Sequence, residues 1–101
     1  MTMTIERIEI DHADTALADL IASARIRAER AEAHHLPDTA FVLAGIATTL
    51  SNARARLAED GSDYLDAAWA FVDAGRTTLA GIGPDGVSRN MARAYREAHR
   101  G

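Results

Sequence analysis

The strongest constraint on this chain is a pair of seven-residue apolar seams separated by helix-breaking residues. Leu43, Ile46, Leu50, Ala53 and Leu57 recur at steps of 3, 4, 3 and 4. Leu65, Ala68, Val72, Gly75, Leu79 and Ile82 do the same at steps of 3, 4, 3, 4 and 3. That spacing puts each set along one side of an α-helix and is incompatible with the alternation of a strand. Gly61 stands between the two runs, Pro37 precedes the first, and Gly81-Ile82-Gly83-Pro84-Asp85-Gly86 follows the second. These are the residues that end helices.

The same reading extends outward. Leu17, Leu20, Ile21, Ala24, Ala28 and Ala31 form a stripe at steps of three and four. It predicts a first helix from about residue 12 to 36, with Asp11 as N-cap, Asp14 in its first turn, and Asp19, Arg27 and Arg30 on the opposite face. Pro37 disfavours helical conformation at Leu36 and ends it. The seams predict helices over about 38–59, with Phe41 and Val42 widening its apolar face, and 63–80, with Trp69 and Phe71 flanking the seam. Val87, Met91, Ala94, Tyr95 and Ala98 predict a fourth over about 87–99. Short connections favour antiparallel neighbours, so the expected fold is all-α, a three- to four-helix antiparallel bundle. Thr2–Ile10 is ambiguous. Ile5 and Ile8 suit a helix, whereas Ile8 and Ile10 suit a strand, and residues 1–11 are expected to form an arm on a single domain spanning 12–101.

Composition narrows the function classes. Of 101 residues, 48% are hydrophobic, but 22 residues are alanine. The core must therefore rest on the few larger side chains. Cysteine is absent, which removes disulfides, thiolate metal sites and thiol catalysis and suits a reducing cytoplasm. No apolar run approaches the ~20 residues of a membrane span. The net charge of −4 argues against wholesale nucleic-acid binding.

The one strongly charged feature is a row of Arg89, Arg93, Arg96 and Arg100, at steps of 4, 3 and 4. Residues 87–101 hold these four Arg against Glu97, a charge of +3, so the remainder of the chain carries −7. Guanidinium groups in a row suit an acidic protein surface or phosphates. The bland alternative is a solvated helix face near the favourable end of its dipole. Other constellations are weaker. Glu32 and His35 have the Glu-x-x-His spacing that di-iron bundles use, yet such a site needs a second pair and further glutamates. Glu59, Asp60, Asp63 and Asp66 surround the turn between the second and third helices, where acids cap a helix and favour its dipole. Arg93 and His99, His34 and His35, and the serines show no catalytic arrangement.

The expected function is thus a non-enzymatic interaction module without metal or other cofactor. It would form a homodimer and bind a protein partner through Arg89, Arg93, Arg96 and Arg100. The alternatives are a nucleic-acid-associated regulator using the same row, and a metal-binding bundle around Glu32 and His35.

Overall fold

The computed structural model of the chain describes residues 2–82, with side chains from Glu6 onward. It is all-helical. The elements are α1 (Thr2–Ala33), α2 (Pro37–Asp60), a 3₁₀ turn (Gly61–Tyr64) and α3 (Leu65–Ala80). The helix expected over 87–99, the turn residues 83–86 and the arginine row lie outside the described residues.

α1 and α2 form an antiparallel hairpin. Asp14 on α1 meets Arg54 on α2, and Ile10 reaches Gly61, just past the end of α2. α3 then runs back alongside α1. Its Gly75 lies beside Leu20 and Leu50, and the carbonyls at its end meet Arg27. The core forms where the three stripes converge, on Leu17, Ile21, Leu43, Leu50, Leu57, Val72 and Leu79 with alanines between them.

The apolar stripes are those the spacing predicts. Every residue of the two seams is buried or partly buried, as are Leu17 through Ala31 of the first stripe. The reason is geometric: positions three and four apart share a face, and only that face meets the neighbours.

Both ends of the first helix differ from expectation. Residues 2–11 are not an arm; they are the opening turns of α1. Asp11 and Asp14 are therefore interior helical residues, not caps. Ile10 is accommodated in the helix because the far end of α2 gives it something to pack on. Ala13 is fully buried and Ile10 packs against the core, while Ile8 stays half exposed.

At the other end α1 stops at Ala33, three residues short of Leu36. The Leu36 N–H donates to the Ala31 carbonyl at 2.8 Å and the His35 N–H to the Glu32 carbonyl at 3.0 Å. These are the two bonds of a Schellman cap, with His35 at the left-handed position, φ 60°. Leu36 folds back onto the core, and Pro37 opens α2, where its missing N–H is harmless. Glycine is the residue best suited to the position His35 holds, since a side chain there costs ~1–2 kcal/mol. His35→Gly should therefore stabilise the protein by about 0.5–1 kcal/mol after the glycine's extra freedom in the unfolded chain is deducted. For a domain of this size that is a rise of about 2–8 °C in melting temperature. A lower melting temperature in a thermal scan would show that the imidazole makes stabilising contacts that outweigh the strain.

The α2–α3 junction also departs from the expected pattern. Gly61 does close α2, at φ 60° with its N–H donating to the Leu57 carbonyl. Neither the 3₁₀ turn nor α3 has a side-chain cap bond. Asp60 instead accepts from Arg56 one turn earlier at 3.1 Å, and the Arg56 guanidinium sits over the Tyr64 ring, 5.5 Å from its centroid. Asp63 and Asp66 stand in the first turns, where a negative charge favours the helix dipole.

Candidate interaction surface

Among the described residues, the three helices leave a markedly apolar depression open. It runs between α2 and α3, has a volume of about 410 Å³, and is lined by Val42, Ile46 and Thr49 on one side and Phe71, Ala74 and Thr78 on the other. Helical spacing explains the lining. Residues 42, 46 and 49 flank the buried seam 43–50 on one side, and 71, 74 and 78 flank the seam 72–79. Leu50 and Gly75 form its floor. By contrast, the depressions on the α1–α2 side are bordered by charged groups, among them Arg25, Glu29 and Arg54.

Phe41 and Val42 add to the uncovered apolar surface. Phe41 is 81% exposed and Val42 53%. Val42 widens the apolar face of α2 as expected, whereas Phe41 does not. Phe41 is two residues from the buried Leu43, so it points to the far side of the helix; Val42, one residue away, borders the groove. A large aromatic side chain standing in water in the second turn of a helix is the kind of residue that anchors protein contacts.

Two glycines sit within these helices and differ in what surrounds them. At Gly75 a Cβ would lie 3.3 Å from Leu20 Cδ1 and 3.4 Å from Leu50 Cδ2, so the absence of a side chain lets α1 and α2 close on α3. A Cβ at Gly45, on the rim of the groove, would meet nothing within 4 Å. Glycine costs about 1 kcal/mol against alanine within a helix. Close approach explains that cost at Gly75, whereas no described residue explains it at Gly45.

Two arginines of the described region are held by specific partners. Arg27, expected on the outer face, instead donates from Nη1 to the carbonyls of Leu79 at 2.6 Å and Ile82 at 3.1 Å. Arg54 donates from Nε to Asp14 Oδ1 at 2.7 Å and from Nη2 to Oδ2 at 3.2 Å. Those hydrogen bonds and the carboxylate's charge hold the Arg54 guanidinium above its usual range. Both side chains are substantially exposed, so the pair contributes about 0.2–1 kcal/mol.

Glu32 and His35 do not make the helical Glu-x-x-His arrangement. Glu32 is within α1, but His35 lies beyond the helix end in left-handed conformation. The two side chains therefore lack the one-face geometry on which a bundle metal site depends. Among the described residues, no group of three or more His, Asp or Glu is placed to hold a metal ion. No helix among them is long and apolar enough to cross a membrane. The groove itself went unforeseen because periodicity marks which face is buried, not which flank a neighbour leaves uncovered. Comparison of the chain with protein-family models, curated proteins and solved structures found no match.

Proposed function

We propose that the chain is a non-enzymatic helical interaction module. It associates with itself and holds an acidic protein partner through Arg89, Arg93, Arg96 and Arg100. The observation that carries this reading is Phe41, 81% exposed near the start of α2 on the side away from the buried Leu43. An apolar side chain of that size at a contact site contributes through its removal from water. The charge distribution supplies the second half of the reading. A +3 segment against a −7 remainder leaves the arginines as the basic patch on an otherwise acidic chain.

The two halves are tested separately. Light scattering of the purified chain should give a dimer, and Phe41→Glu should turn it into a monomer with an unchanged helical spectrum. Arg93→Glu should abolish capture of an acidic partner, again without loss of helix content. A monomeric wild type removes the self-association, and undiminished capture by the Arg93→Glu variant removes the arginine contact. A labelled duplex that shifts at low salt and releases steeply as salt rises would transfer the row to nucleic acid.

A further inference from the structure

We propose that the groove between α2 and α3 is the seat of the chain's own segment Val87–Ala98, which lies in it as a fourth helix antiparallel to α3. The groove is apolar, open and otherwise uncovered among the described residues. The described chain ends at Ile82, beside the end of the groove that Thr78 and Val42 border. Ile82 is buried and its carbonyl is held by Arg27, so the point of departure is fixed. From there the four residues Gly83-Pro84-Asp85-Gly86 span up to about 13–14 Å when extended, more than one interhelical distance of ~8–10 Å. A reversal within that reach returns the chain along α3.

The dimensions agree on both sides. Thr78 back to Phe71 is seven residues, as is Val87 on to Ala94, and each covers about 10.5 Å of helix axis. Antiparallel to α3 and parallel to α2, the segment brings Val87 level with Val42 and Thr78. Met91 then stands level with Ile46 and Ala74, and Ala94 and Tyr95 with Thr49 and Phe71. Gly45 on the rim acquires a reason, because a missing side chain there lets a fourth helix come close.

The sidedness of the segment fits the same placement. At 100° per residue, Val87, Ala94, Tyr95 and Ala98 fall within about 60° of Met91. Arg89, Arg93, Arg96 and Arg100 fall at least about 140° away. With the apolar side in the groove, all four guanidinium groups point to solvent together. This deepens the proposed function, since seating the segment is what displays the row, but the seating does not depend on any partner.

The test uses the absence of cysteine from the chain. In the full-length protein, Thr49→Cys with Ala94→Cys places a thiol on each side of the proposed contact. Thr48→Cys with Ala94→Cys is the control, because Thr48 lies on the opposite flank of α2. Circular dichroism of both reduced variants establishes that they are folded. Under mild oxidation the first pair should close an intramolecular disulfide at least about tenfold faster than the control, given the short Cα separation a disulfide requires. Equal rates, or a product that is a disulfide-linked dimer, would overturn the proposal, the latter by giving the groove to a second copy. Loss of partner capture through Arg93→Glu is read in a separate experiment, so either idea can fail alone.

Discussion

Gly75→Leu and Leu50→Ala should each destabilise the protein severely, and the double variant should recover much of the loss. Gly75 is buried where α3 crosses the other two helices. A Cβ there already stands 3.3 Å from Leu20 Cδ1 and 3.4 and 3.5 Å from the two methyl groups of Leu50. Three further carbons have nowhere to go unless α3 lifts off the hairpin. Overpacking of this kind costs about 1–3 kcal/mol and sometimes more. Leu50 is 2% exposed, and trimming it to alanine removes both its transfer energy and its contacts, at about 2–5 kcal/mol. Either loss is a large share of the ~5–15 kcal/mol that holds a small domain together.

The double variant moves the bulk from α2 to α3 across the same contact. Neighbouring residues that share a space couple by about 0.5–3 kcal/mol, so the pair should be less destabilised than the sum of its parts. Urea melts of the four proteins measure this, and strict additivity would mean that the two positions do not share that space. Gly75→Ala separates the effects further. One methyl group gains helix propensity of about 1 kcal/mol and needs only a small shift of two flexible leucine ends. Its stability should stay near that of the wild type, which sets a size threshold at the crossing rather than a general intolerance of side chains.

The seams were legible because they are long and repetitive. The run 43–57 and the run 65–82 give five and six matches to one period, and both are buried as that period demands. The start of α1 was not legible, because Ile5, Ile8 and Ile10 satisfy two periods at once. What decides between them is α2, whose far end offers a surface to Ile10 and Ala13. That is a contact between positions some fifty residues apart, and local pattern carries no information about it. The end of α1 failed for a different reason. Pro37 predicts the stop, but a Schellman cap closes the helix earlier, and histidine is not the residue that announces such a cap.

The candidate surface was legible only in part. Phe41 and Val42 stand out in the sequence as apolar, but only Val42 extends the apolar face, onto the groove; Phe41 points away, since it lies two residues from the buried Leu43. Type and position predict the acids at the α2–α3 turn as caps, while Asp60 is occupied by Arg56 on its own helix. Surface charges choose among several partners of similar energy, which residue identity alone does not rank.

Arg27 carries the other large expected effect. Its charge placed it on the outer face of the first helix, but the structure uses it to close α3. Nη1 donates to the Leu79 carbonyl at 2.6 Å and the Ile82 carbonyl at 3.1 Å, 52 and 55 positions along the chain. The last carbonyls of a helix lack partners within it and carry partial negative charge, so a partly buried cation there satisfies both needs. α3 has no basic residue in its own last turn, which leaves this task to α1. Arg27→Met keeps the apolar stem against its neighbours and deletes only the donors. A loss of about 1.5–3 kcal/mol follows for charge-assisted bonds of this kind. Arg27→Lys should lose less, because it keeps the charge while giving up the planar fork. The loss should also be local. Hydrogen exchange at Gly81 and Ile82, whose amides bond to Thr78 and Leu79, should quicken beyond what the global destabilisation explains. If the methionine variant melts within about 0.5 kcal/mol of the wild type, water replaces the guanidinium at those carbonyls, and Arg27 does not hold the point from which the chain leaves α3.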